Sequence, residues 1–184
     1  KIICHSRKEV HRYNEQVQAI RLKKGLLGAG KTWKIAKATY YVNDIVINCQ
    51  NIYAEDDRQD EKQKYLKIAN GEEGFISAIT NDTITVQFAD SEHHYVKDDN
   101  DVFLLAYALT CHKAQGSGYK EILGVLPTYL KEDTRKFVYT MVTRAKTKVL
   151  LVDPFDKMKT YIEQANTVDR RTRLDYYIKN NIYA

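Results

Sequence analysis

Residues 109–117 read Leu109-Thr110-Cys111-His112-Lys113-Ala114-Gln115-Gly116-Ser117. His112, Lys113 and Gln115 cannot all hide in an apolar core without partners, because burying polar groups unpaired is costly. The segment before them, Leu104 to Ala108, is apolar and short, as a strand is. In open α/β sheets ligands gather outside the carboxyl ends of strands. Residues 109–117 follow such a strand and are placed for that role.

The same architecture extends outward from this stretch. Glu121 to Leu126 (EILGVL) reads as a strand closed by Pro127, and Glu132 to Lys146 has helical spacing through Phe137, Met141 and Ala145. Lys148 to Val152 (KVLLV) is a continuous apolar run, the pattern of a parallel strand buried on both faces. A polar helical tail follows from Pro154. At the other end, Ile2 to Cys4 is a short buried-strand candidate. Ser6 stands three residues before Glu9, the spacing of a capping box, in which the Ser oxygen takes a free helical amide and the Glu reaches back. Val10, Tyr13, Val17 and Ile20 continue at helical spacing to about Lys24, and Gly25 ends the helix. Strand, capped helix and further strands make an α/β chain.

Between about 40 and 100 the periodicity changes. Asp44 to Asn48 holds a β-branched run. Glu55 to Lys67 is charged and reads as a loop or short helix. Phe75 to Ile79 and Thr83 to Phe88 read as strands around an Asn81-Asp82 turn, with His93 to Val96 as another. The expectation is a small antiparallel barrel at 40–100, inserted into an α/β domain of residues 1–39 and 101–184.

Composition bounds the rest. The 184 residues are 43% hydrophobic and 29% charged, enough for a real core and unlike a disordered chain. The longest apolar run, Val102 to Leu109, is far too short for a bilayer, so no membrane association is expected. Three cysteines at 4, 49 and 111, with no C-x-x-C pair, argue against a disulfide framework or a zinc site and suit the cytoplasm. His93-His94 lacks a metal-ligand pattern, and no metal ligands are assigned. A net charge of +5 permits a polyanionic partner without requiring one. The chain opens at Lys1 directly into an apolar stretch, which reads as a piece of something larger.

Gly25 to Thr32, GLLGAGKT, satisfies the P-loop pattern. That loop wraps phosphates with backbone amides, and it needs a strand leading in and a helix leading out. Here a capped helix leads in. The plainer reading is a glycine-rich helix stop followed by a basic loop.

A second polar stretch, Phe137-Val138-Tyr139-Thr140-Met141-Val142-Thr143-Arg144-Ala145-Lys146, follows the first. Together T-x-H-K-x-Q-G-S and Y-T-x-V-T-R-A-K resemble motifs V and VI of superfamily-one helicases, with the RecD-like branch the nearest match. The opening strand and helix with Asn14 resemble the motif IV region. The resemblance covers nearly the whole chain, and the 40–100 insert is similar to the SH3-like domain of that branch. The fold it implies is a RecA-like parallel sheet with helices on both faces, interrupted by an SH3-like barrel.

The implied chemistry is that of the second motor domain of an ATP-dependent DNA helicase. ATP and Mg²⁺ bind between two RecA-like domains. The first, absent from this chain, carries the true P-loop and the acidic pair. Arg144 matches the arginine finger, and Gln115 and Gly116 match the turn that senses the γ-phosphate. Thr110, His112 and Lys113 match the part of motif V that faces single-stranded DNA. Further partners implied are the N-terminal RecA-like domain of the same protein and the subunits of a helicase–nuclease complex; 5′-to-3′ polarity is implied by the family alone. The sequence departs from the pattern at Gly118, where the family often has Glu.

Other readings stand beside this one. Taken singly, Arg144 could be a structural ion-pair residue and His112 a satisfied helix histidine. Tyr176-Tyr177 and Tyr183 read as packing of a terminal helix, and Arg170-Arg171 with Arg173 as a solvated basic face. The whole could be a free-standing P-loop NTPase using Gly25 to Thr32, or a non-catalytic nucleic-acid-binding module built on the barrel.

Overall fold

A computed structural model describes residues 1–35, 38–56, 63–96, 102–127, 134–153, 156 and 158–163. Tyr176, Tyr177, Tyr183 and the arginines at 170, 171 and 173 lie outside the described residues.

The chain folds around two sheets. The first is parallel, with strands β1 (Ile2–Cys4), β11 (Ala108–Thr110), β12 (Tyr119–Val125) and β13 (Ala145–Val152) in the order β11-β1-β12-β13. Alternation along β1 sends Ile3 and Cys4 to opposite faces. Ile3 joins Ile122, Leu126, Val138 and Met141 under helix α2 (Thr134–Val142). Cys4 joins Ala108 and Val125, against Val10 and Tyr13 of helix α1 (Arg7–Lys23). The sheet therefore carries helices on both faces. A short helix α3 (Met158–Glu163) follows β13.

The start and end of α1 follow from its sequence. Ser6 Oγ accepts from the Glu9 amide, and the Glu9 carboxylate accepts from the Ser6 amide, closing the expected capping box. At the other end Gly25 takes φ +65°, a conformation open to glycine but costly for other residues. Its amide donates to Leu22 O, and Leu26 N donates to Arg21 O, which satisfies the last carbonyls.

The second sheet is antiparallel: β10 (Phe103–Leu105), β4 (Ile45–Asn48), β7 (Glu73–Ile79), β8 (Thr83–Gln87) and β9 (Glu92–Val96), in that order. Hairpins β2 (Trp33–Ile35) with β3 (Ala38–Tyr40), and β5 (Ile52–Asp56) with β6 (Gln63–Ile68), complete this body. Its core gathers Trp33, Tyr40, Val46, Ile76, Val86, Tyr95 and Phe103, and so reaches residues on either side of 40–100. Tyr95 and Phe103 rings lie 4.8 Å apart.

Several expectations are corrected. Leu104 to Ala108 is not one strand. Phe103–Leu105 pairs with β4, Ala108–Thr110 pairs with β1, and the chain changes sheets at Ala106 and Tyr107. An unbroken apolar run hides such a change because both sheets need buried residues. Ile52–Asp56 and Gln63–Ile68 form a hairpin where a charged loop or short helix is expected; Glu55, Asp56, Lys64 and Lys67 belong to its strands. Helix α2 stops at Val142, so Ala145 begins β13 and Arg144 lies in the turn between them. Val149 to Val152 is not covered on both faces: β13 is an edge strand among the described residues, and these four side chains are 36–50% exposed. An apolar run records that a surface needs covering, not that neighbouring segments cover it.

Candidate functional site

The turn from 111 to 118 links β11 to β12 and passes over β1. Its start is fixed by Cys111 N donating to Cys4 O at 3.1 Å. Thr110 Oγ1 accepts from Lys113 N at 3.3 Å, and Ala114 N donates to Thr110 O at 3.1 Å. Ala114 is fully buried and anchors the turn, which leaves His112, Lys113, Gln115 and Gly116 exposed. Gly116 has φ +83°, with open space where a Cβ would stand. Glycine is needed there for the backbone angle, not for room.

His112, Lys113, Gln115 and Ser117 line a cleft of about 280 Å³ whose other wall is Ile47, Asn70 and Gly71 of the antiparallel body. Lys113 Nζ approaches Cys49 Sγ at 3.4 Å across it. The sequence marked one wall and missed the other. Asn70 and Gly71 carry no chemical motif, and only their turn-forming character hinted at them. Thr110 is half-buried, and its hydroxyl serves the turn.

Arg144 sits behind this turn. Its Nη1 donates to Ser117 O at 3.3 Å, its Nε to Thr140 O at 3.1 Å and its Nη2 to Thr143 Oγ1 at 3.2 Å. Its carbonyl accepts from Tyr119 N at 2.8 Å. Placement in the sequence alone did not join Arg144 to residues 109–117; the Ser117 contact does. The guanidinium is near enough to Cys111 to favour the thiolate, yet burial dominates and raises that thiol. At Gly118 a Cβ would meet Lys146 Cε at 3.0 Å, so a side chain here would have to push aside the flexible end of a lysine.

The two motif candidates outside this region resolve differently. Asn14 is buried, and its side chain bonds Leu105 O, Ala108 O and Ala108 N, fixing the strand that leads into the site. Gly25 to Thr32 is not a phosphate loop. Helix α1 leads in and strand β2 leads out, the reverse of the required order. The amides of Gly25, Leu26 and Gly28 are engaged by Leu22 O, Arg21 O and Val42 O. This overturns the free-standing P-loop NTPase.

The turn after β11 is thus bonded to an arginine that stands immediately before β13. Residues 105–152 match the UvrD-like helicase C-terminal domain. Over that segment the chain is similar to the C-terminal domain of superfamily-one helicases. It is 36% identical over 103 residues to the RecBCD enzyme subunit RecD of Mycolicibacterium smegmatis, a match covering 54% of this chain and 18% of that protein. An uncharacterized protein of Methanocaldococcus jannaschii is 38% identical over 72 residues, covering 38% of this chain and 6% of that one. Among solved structures, the Pif1 helicase from Bacteroides in complex with ADP-AlF3 and ssDNA superposes with a TM-score of 0.59 at 16% identity, over 98% of this chain and 44% of that chain. The Pif1 helicase from Candida albicans gives 0.55 at 14% identity, over 98% and 49%. At such identities the likeness shows the fold, here a parallel RecA-like sheet with its helices. The chain spans under half the length of each of these proteins.

Lys113 and Gln115 offer donors to the cleft, while the Arg144 guanidinium holds the turn from behind through Ser117 O. Glu73, two residues after Gly71 in sequence, is held by Lys1 and Tyr119. Among the described residues no group of three His, Cys, Asp or Glu side chains could hold a metal ion. The described residues of the turn thus offer cationic and amide donors and no Mg²⁺ site of their own. No helix among the described residues is long and apolar enough to cross a membrane.

Proposed function

We propose that this chain is the second motor half of an ATP-dependent, 5′-to-3′ DNA helicase of the RecD-like kind, acting on single-stranded DNA. The observation that carries the reading is the bond from Arg144 to Ser117, within the segment that matches the UvrD-like helicase C-terminal domain. It ties the candidate finger to the turn that holds Gln115 and Gly116. In this reading an N-terminal RecA-like domain of the same protein supplies the P-loop and the Mg²⁺-binding acids. Arg144 neutralises charge developing on the transferring phosphoryl group, and Gln115 and Gly116 face the same phosphate. Thr110, His112 and Lys113 hold the backbone of the strand, which positions it without reading sequence. Residues 1–39 and 101–184 form the motor domain and 40–100 an SH3-like insert. A helicase–nuclease complex acting in DNA repair is a fitting context.

The test uses the full-length protein. Arg144→Ala lowers strand-stimulated ATP turnover by about a thousandfold, with nucleotide affinity nearly unchanged, and Arg144→Lys does not restore it. Unchanged turnover in Arg144→Ala removes the finger. The 184-residue chain by itself hydrolyses no ATP.

The module reading keeps one observation: Tyr53 and Tyr65 on the β5–β6 hairpin are 57% and 53% exposed, as base-stacking side chains are. Under that reading Tyr53→Ala and Tyr65→Ala abolish strand binding while Lys113→Ala leaves it intact.

A further inference from the structure

The two walls of the cleft belong to different sheets, and one carboxylate joins them. Glu73 opens β7, two residues after Gly71 and three after Asn70. Its Oε1 accepts from the Tyr119 hydroxyl at 2.7 Å, and its Oε2 accepts from Lys1 Nζ at 2.6 Å. The Lys1 side chain is only 8% exposed, and its ammonium also donates to Ala106 O and lies 5.2 Å from the centre of the Tyr119 ring. A half-buried carboxylate with two such donors is held in place, because charge-assisted bonds are the strong ones. Burial and the Glu73 contact both raise the Tyr119 phenol, so it stays protonated as the donor; the Ser117 hydroxyl works the other way.

Tyr119 is fixed at both ends. Its hydroxyl goes to Glu73, and its amide goes to the Arg144 carbonyl. Gly118, without a side chain, is all that separates it from Ser117, whose carbonyl holds the Arg144 guanidinium. The far end of the 111–118 turn is thus tied to Arg144 on one side and to the antiparallel body on the other.

We propose that Glu73 and Tyr119 are positioning residues, which set the distance between Asn70-Gly71 and His112–Gln115 and thereby the cleft's fit to a single unpaired strand. The inference rests on the strand-binding reading of that cleft. Neither residue touches the strand; each acts through the turn. Removing the bond leaves both sheets intact and loosens one wall against the other.

The experiment compares the full-length protein with Tyr119→Phe, which removes a single oxygen, and Glu73→Gln. Hydrogen exchange is followed at residues 111–118 and 69–72, with β8 and the following residue, 83–88, as reference. ATP turnover is titrated with single-stranded DNA and with ATP. In Tyr119→Phe, exchange at 111–118 rises about tenfold while 83–88 is unmoved, as expected when a local tie is lost without global unfolding. The DNA concentration for half-maximal turnover rises about fivefold with the ATP half-saturation unchanged. Glu73→Gln, which keeps an acceptor for Tyr119 but weakens the hold on Lys1, falls between. Exchange at 111–118 unchanged in both variants overturns the proposal. So does faster exchange with DNA half-saturation within twofold of the parent, which makes the bond structural only. Exchange needs neither DNA nor nucleotide. A parent protein with no strand-dependent turnover therefore refutes the helicase reading, while exchange still decides whether Glu73 holds the turn.

Discussion

Asn14 grips Ala108 the way a neighbouring strand would. Its Oδ1 accepts from the Ala108 amide at 2.7 Å and its Nδ2 donates to the Ala108 carbonyl at 3.2 Å, with a second bond to Leu105 O at 3.0 Å. A side-chain amide carries one acceptor and two donors, which these three bonds use. The helix thereby fixes the place where the chain leaves one sheet and joins the other.

Asn14→Ala leaves buried backbone groups without partners, at a cost of about 2–3 kcal/mol. The melting temperature should fall by about 5–10 °C. Calorimetry on parent and variant checks this, and a shift under 2 °C would mean that water replaces the amide.

Lys113 reaches into the cleft as a point charge. If it neutralises a phosphate, Lys113→Ala should weaken strand binding uniformly across sequences and lower the slope of log affinity against log salt by about one. Binding titrations at several salt concentrations read that slope. An unchanged slope places the strand elsewhere.

The cysteines give an independent view of the same cleft. Burial, with help from Glu9, pushes the Cys4 thiol up to about 12, and burial also raises Cys111. Few thiolates form at either site at pH 8. Cys49 is half-exposed and lies against Lys113. Iodoacetamide should therefore label Cys49 first, and single-stranded DNA should slow that labelling. Peptide mass mapping scores it; equal labelling of Cys4 would contradict the burial described here.

Asp44 gives stability a pH dependence. Its carboxyl is pushed up chiefly by burial, against the pull of bonds from Tyr107, Tyr41 and Gln18 and the charge of Arg21. A carboxyl whose folded pKa is raised contributes stability that is fully present below its unfolded pKa, about 3.9, and is lost as pH rises through the folded value. The stability of the parent relative to Asp44→Asn should therefore decline from about pH 3.5 upward and level off above the folded pKa. Melting curves across that range test it, and a difference that grows with pH would reverse the sign.

Much of the parallel sheet was legible because its signals are local. The Ser6–Glu9 box, the Gly25 stop and the apolar runs of β1 and β12 each specify themselves within a few residues. The strands of β7 and β8 were legible for the same reason. Relations across the chain were not. Nothing in Val102 to Leu109 marks the point where it trades β4 for β1, since apolar residues serve either sheet. The exposed side of β13 depends on what does or does not pack there. Within the site, residues 112–117 announced themselves by polar groups beside apolar ones. Asn70, Gly71 and Glu73 did not, because a turn and a strand-end carboxylate are common everywhere. Only folding makes them the opposite wall.

The bond from Tyr107 to Asp44, 2.6 Å long and buried, joins the stretch where the chain has just entered the antiparallel sheet to the stretch where it has just left it. Neighbouring points of departure and return are what let one folded unit be set inside another without tearing the host. On the proposed division of the chain, a sheet with such a gate can acquire, exchange or lose its guest through a single local event in its gene. The guest is not passive cargo, however, since it supplies half of the cleft. Exchanging it would alter one wall of the cleft while leaving Arg144 and the turn it holds in place.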